Sequence, residues 1–255
     1  MKKTYILLLL LFIGTGFTVR SQDVINPVNK LVQASYENKM FSYRLLMDYI
    51  LVKNNVYQKK IINDIDKILA RYDDNLLYIA KFAEKNKDTK KKFINLQLFW
   101  NDYRILFIDF DNTDLNKLIK YTDNFAKYND ELTLSVLETN KVKDKYKKQL
   151  ETLDLLAVLN NQIDQLLINY FLKNHTKNQL YNVDTKAIQK TLKKLSKTET
   201  GKNNINIIED LKNTISVIES LYSKENNSKQ MYSNVNYFTK KTFILMKQIL
   251  SNIKE

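Results

Sequence analysis

Asn26-Pro27-Val-Asn-Lys-Leu-Val32-Gln-Ala-Ser-Tyr36-Glu-Asn-Lys-Met40-Phe-Ser-Tyr43-Arg44-Leu-Leu-Met47-Asp-Tyr-Ile50 is the stretch on which the fold turns. Val28, Val32, Tyr36, Met40, Tyr43, Met47 and Ile50 recur every three or four positions, the spacing that lines one side of an α-helix. Asn26 suits the cap, and Pro27 the first helical position, where a missing N–H costs nothing. Outward from this helix almost nothing interrupts the pattern. Beyond residue 21 the chain has one glycine, Gly201, and one proline, Pro27, in 234 positions. Hairpins, tight strand turns and phosphate-cradling loops depend on those residues, so sheet-based folds, and with them most enzyme folds, are excluded.

Three further helices complete a first set. Ile61, Ile65, Ile68, Tyr72, Leu76, Ile79 and Ala83 mark the second, and Phe93, Leu96, Trp100, Tyr103 and Phe107 the third, from about Asp88. After the polar break Asp111 to Asp114 come Leu115, Leu118, Thr122, Phe125, Leu132 and Val136. The second half repeats the scheme. Its long helix carries Tyr146, Leu150, Leu153, Ala157, Asn160, Ile163, Leu167 and Tyr170, and three shorter helices follow a loop at 174–184. They carry Ile188, Leu192 and Leu195; Ile208, Leu211, Ile215, Ile218 and Tyr222; and Met231, Val235, Phe238, Thr242, Leu245 and Ile249, with Gly201 expected to end the first of them. One offset of 120 positions overlays Tyr36, Met40, Tyr43, Met47 and Ile50 on Leu156, Asn160, Ile163, Leu167 and Tyr170, and Leu115, Leu118, Thr122 and Phe125 on Val235, Phe238, Thr242 and Leu245. The expected architecture is all-α: two tandem antiparallel four-helix bundle units, 22–140 and 141–255, each helix with one apolar stripe and a lysine-rich opposite face.

Residues 1–21 read as a secretory signal peptide. Lys2 and Lys3 precede the apolar run Tyr5 to Ile13, and small residues at 14–21 place cleavage before Gln22. The run is too short to span a bilayer, and no later stretch could, so the expected location is periplasmic or secreted, with nothing membrane-spanning after cleavage. There is no cysteine, so no lipid attachment at cysteine and no disulfide framework. Loss of Lys2, Lys3 and Arg20 leaves 38 Lys+Arg against 28 Asp+Glu, a net charge of +10. The lysines are scattered or sit in clusters such as 85–92, 141–148 and 190–197 that read as solvated helix faces, and nucleic acid is not expected as a partner.

Catalytic and metal motifs give way to structural readings. Ile105-Leu-Phe-Ile-Asp109-Phe-Asp111-Asn-Thr113 matches the nucleophile string of haloacid-dehalogenase-type phosphatases, with magnesium held beside Asp109 and Asp111. That chemistry belongs on a parallel sheet with glycine loops, whereas Trp100, Tyr103 and Phe107 fit a helix face ending before an Asn112 or Thr113 cap. A calcium loop from Asp109 fails at Asp114 and Lys120. The single histidine, His175, has Leu172 three positions before it, which rules out the paired Glu-x-x-His of di-iron bundles, and a lone loop histidine without cysteine gives no triad. No enzyme activity, metal or cofactor is expected.

The remaining candidates are Lys39 and Arg44. Arg44 is one turn from both Met40 and Met47, at the edge of the buried stripe. Either it snorkels to solvent, or, backed by Lys39, it offers a charge-assisted site for a small anion or a partner's carboxylate at a helix seam.

Asn38-Lys-Met-Phe-Ser-Tyr-Arg44-Leu, followed by Asp48-Tyr-Ile-Leu51, resembles the Gln-Arg-Met-Leu-Ser-Gln-Arg-Met signature of the helical sensory domain that begins type IV pili methyl-accepting chemotaxis transducers and has a counterpart in nitrate/nitrite sensor kinases. Trp100 near the end of the third helix and the segment Phe243-Ile-Leu-Met246 add to the likeness, which would span Asn26 to Ile253 as two copies. The resemblance implies an anion bound by basic residues of helix one at a homodimer seam, mapping to Lys39 and Arg44. Lys39 stands where the family has Arg and Tyr43 where it has Gln. The second half has Leu159 and Asp164, or Asn160 and Gln165 one register later, and so no base. With no kinase or methyl-accepting region in the sequence, signal output would pass to a separate envelope protein. The expectation is a non-enzymatic sensory-type module for a small anion or signalling partner; the alternative is an adaptor bundle that docks an envelope protein through an exposed helix face near the aromatic-rich third helix.

Overall fold

The computed structural model describes residues 27–110, 112–173, 180–222 and 227–253. The leader, the Asn26 cap, Asp111 and His175 lie outside the described residues. Among the described residues the chain forms ten helices and no strand: α1 Pro27–Lys53, α2 Gln58–Ala83, α3 Lys87–Ile108, α4 Leu115–Thr139, α5 Val142–Lys145, α6 Lys147–Leu172, α7 Thr185–Leu195, α8 Glu199–Asn203, α9 Ile205–Tyr222 and α10 Ser228–Leu250. The protein is all-α, and no described helix is long and apolar enough to cross a membrane.

In a chain nearly free of glycine, side chains end and begin the helices. Asn86 accepts hydrogen bonds from the Asp88 and Thr89 amides at the start of α3. Asp184 caps α7 through the Ala187 amide and Thr198 caps α8 through the Gly201 amide, satisfying donors that no helical carbonyl reaches. Asp114, not Asn112 or Thr113, caps α4. Asn112 donates to the Asp109 carboxylate, and the Thr113 hydroxyl donates back to the Leu106 and Asp109 carbonyls. Asn55, Tyr57 and Lys141 take the left-handed conformation, at φ of 56°, 49° and 55°, so non-glycine residues make the turns between helices.

Gly201 does not end a helix. It lies inside α8, while α7 ends at Leu195. A Cβ on Gly201 would stand 2.1 Å from the Leu195 carbonyl oxygen, so the glycine is there to let α8 close onto the end of α7.

α1 packs on α2, α4 and α6 and touches α10; α3 lies against α2 and α4, and α6 against α7 and α10, with α9 joining α7 and α10. Tyr78 near the end of α2 donates to the Pro27 carbonyl at the start of α1, and Tyr49 near the end of α1 donates to the Thr113 carbonyl before α4, so both neighbours run antiparallel to α1. α6 runs parallel to it, since Tyr36, Lys39 and Arg44 meet Leu150, Asp154 and Asp164 in rising order. One continuous core results, from Leu31 to Ile253. Tyr72, Trp100, Tyr103 and Phe125 fill its α2–α3–α4 end, with Tyr72 and Trp100 ring centroids 4.1 Å apart and the indole N–H donating to Asp73 at 2.6 Å.

The periodic residues lie where the spacing places them, but α1 departs from a single stripe. It is buried on nearly every side, and Ser35, Glu37, Asn38, Ser42, Arg44 and Asp48 are buried along with its apolar residues. A helix with four neighbours keeps little surface for water.

Candidate functional site

Arg44 does not snorkel. It is 9 % exposed, and the side chains of Asp48, one turn further along α1, and Asp164 on α6 are each 1 % exposed. Its Nε donates to Asp48 Oδ2 at 3.2 Å, and its Nη1 stands 3.9 Å from Asp164 Oδ1. The Tyr232 ring of α10 lies beneath the guanidinium at 5.9 Å. This packing leaves Arg44 Nη1, Asp48 Oδ1 and Asp164 Oδ1 buried without hydrogen-bond partners. Such atoms are costly, because they have given up water, and the 3.9 Å ion pair between Arg44 and Asp164 is too long to replace it with a hydrogen bond.

All three side chains line one open cleft of about 380 Å³ bounded by α1, α2, α6 and α10. Met40, Phe41, Ile68 and Phe243 supply apolar wall; Lys60, Asp64, Lys67 and Lys240 supply charge. Thr239, whose hydroxyl also lacks a partner, and Asn236 add polar groups from α10. Burial pushes the Asp164 carboxyl up to about 7 against the pull of Arg44, with Asp48 adding to the rise. Burial likewise pushes Asp48 up to about 6, again opposed by Arg44. One guanidinium therefore serves two carboxylates that are reluctant to ionise.

Lys39 is not part of this site. Its ammonium lies on another side of α1, held by Asp154 of α6 at 2.9 Å and Asp130 of α4 at 3.2 Å, and over the Tyr36 ring at 5.3 Å. Burial pulls its pKa down, but the two carboxylates outweigh that and hold it above the usual lysine range. Lys39 and Arg44 thus do not converge on one anion: Lys39 ties α1 to α4 and α6, and Arg44 is already ion-paired. One of the two partners of Arg44, Asp164, is the residue read as its second-half equivalent. Asp48 and Asp164 are not among the sequence candidates; the signals that could have found them are the i, i+4 spacing of Arg44 and Asp48 and the offset of 120 that pairs Arg44 with Asp164.

The phosphatase-like string has the wrong local structure. α3 runs as a helix to Ile108, and Asp109 is its C-terminal cap, where the motif requires a strand. Among the described residues no three His, Asp or Glu side chains come together to hold a metal ion. No family model, curated protein or solved structure matches this chain.

Proposed function

We propose that this protein is a non-enzymatic, exported sensory-type module that holds a small polar ligand in the Arg44 cleft and passes the occupied state to a separate envelope protein. The observation that carries the reading is that Arg44, Asp48 and Asp164, each with a buried polar atom that makes no hydrogen bond, are among the residues that line an open cleft. Perturbed ionisable groups in a concave site are where binding sites concentrate. The Asn38 to Leu51 resemblance to helical sensory domains supports the same region of α1. A ligand here would touch α1, α2, α6 and α10 together, so its occupancy would bear on both halves of the chain.

The test is thermal unfolding against nitrate, nitrite, small amines and amino acids at constant ionic strength, in the wild type and in Asn236→Trp, which fills the cleft without altering its charge. A ligand at about 100 times its dissociation constant adds roughly 2.7 kcal/mol. A shift present in the wild type and lost in Asn236→Trp supports the reading; absence of any shift overturns it.

A second reading, an adaptor docking an envelope protein, has its own observation. Ile94, Leu98, Ile105 and Ile108 lie along one exposed side of α3, with Leu98 and Ile108 63 % and 68 % exposed. A partner captured from envelope extract that is indifferent to Asn236→Trp but lost on Leu98→Lys would favour it.

A further inference from the structure

The polar atoms that make no hydrogen bond, on residues that line the cleft, specify the chemistry that would complete them. Asp48 Oδ1 and Asp164 Oδ1 are acceptors, Arg44 Nη1 is a donor, and the Thr239 hydroxyl can serve as either. A bare anion brings acceptors only, so it could meet Arg44 but would lie against two carboxylates. A bare cation brings donors only and would lie against the guanidinium. A metal ion finds too few ligands, since no group of three such side chains is present among the described residues. What matches is a single small head carrying an ammonium, with three donors, beside a carboxylate. Lys60, Lys67 and Lys240 outnumber Asp64 among the other charged lining residues, which favours negative charge toward the mouth. Met40, Phe41, Ile68 and Phe243 offer an apolar flank, and about 380 Å³ lies at the small end of the range for ligand pockets.

We propose that the Arg44 cleft takes an α-amino acid with an apolar side chain, its ammonium on Asp48 and Asp164 and its carboxylate on Arg44 and the cleft lysines. This rests on the reading of the cleft as the ligand site and names the ligand's class.

The experiment compares three probes sharing one branched alkyl group, at about pH 8 and constant ionic strength: L-leucine, 3-methylbutylamine and 4-methylpentanoate. Calorimetric titration of the purified protein is read with thermal unfolding. Leucine is expected to bind about tenfold or more tightly than either half-molecule, since each leaves some of those polar atoms unmet. Asp164→Asn, its fold checked by circular dichroism, is expected to abolish leucine binding. Lys240→Ala, at an exposed position, is expected to weaken leucine while leaving the amine unchanged. Binding of 4-methylpentanoate or nitrate as tight as leucine, lost in Asn236→Trp, overturns the amino-acid assignment and leaves the cleft as an anion site. No binding by leucine or the amine means that water alone serves those atoms, and the assignment falls. If nothing in the wider panel binds either, the ligand-site reading falls with it.

Discussion

Arg44 and Asp164 face each other from α1 and α6 at 3.9 Å, and they stand 120 positions apart, the same offset that overlays the helical stripes of the two halves. Met40 and Asn160, separated by the same 120, meet one turn earlier in the seam. Positions that a single offset of 120 pairs are therefore in contact, and the charge at one is answered by the opposite charge at the other.

Stability should depend on pH through this pair. In the unfolded chain both aspartates ionise near their ordinary values, whereas in the folded protein Asp164 holds its proton up to about 7 and Asp48 up to about 6. The folded state binds more protons across that window, so their contribution falls as pH rises from about 4 to 7. The groups facing them are Arg44 from α1, Lys60 and Asp64 from α2, and Tyr232 and Lys240 from α10. Urea unfolding at pH 5 and pH 8 should show Asp164→Asn gaining on the wild type by on the order of 2 kcal/mol at the higher pH. An equal pH response in both proteins would contradict this.

Removing the base should hurt more than removing an acid. Arg44→Met leaves two buried carboxylates without a counter-ion and should cost about 3–5 kcal/mol at pH 8. Adding Asp164→Asn to it should recover part of the loss, giving a coupling energy that a double-mutant cycle reads directly. Additive losses would mean that the two side chains do not interact.

Leucine affinity should fall as Asp164 is protonated. Below about pH 7 the Asp164 carboxylate is progressively neutralised, and the ammonium loses its acceptor. Titration at pH 6 should show binding weakened about tenfold relative to pH 8. A pH-independent dissociation constant would place the ammonium elsewhere.

Backbone space decides two substitutions in opposite directions. Gly201→Ala forces a Cβ into the Leu195 carbonyl and should destabilise by about 1–3 kcal/mol. Lys141→Gly relieves a side-chain residue at φ 55° and should be neutral or stabilising by up to about 1 kcal/mol. Thermal unfolding of the two variants distinguishes these signs.

Trp100→Ala should cost about 3–5 kcal/mol, because the indole is buried among Tyr72, Tyr103 and Phe125 and its N–H is bonded to Asp73. Retention of wild-type stability would show that the aromatic cluster rearranges to fill the space.

The helices could be read from spacing alone, because apolar periodicity is set by the chain locally and Ile61, Trp100, Phe125, Leu167 and Phe238 are all buried where it puts them. The site was half readable. Arg44 stood out, but its setting did not, since burial of a polar side chain depends on how many helices surround it. α1 packs against four other helices, so Glu37, Arg44 and Asp48 are buried rather than on a solvated face, and Lys39 finds Asp130 and Asp154 on two other helices. Gly201 was misplaced for a similar reason: its conformation is ordinary, and its need for a missing side chain comes from α7 rather than from its own turn.

The parallel packing of α1 on α6 bears on which ligands such a groove can tell apart. In a symmetric homodimer of parallel helices, a residue on the rotation axis faces its own copy, so arginine would oppose arginine, and a ligand with distinct ends could enter in two equivalent, opposed poses. Here both walls belong to one covalent chain, and no identity is imposed on them. Arginine opposes aspartate and methionine opposes asparagine, so the groove has a polarity, and a molecule with unlike ends can be held in a single orientation.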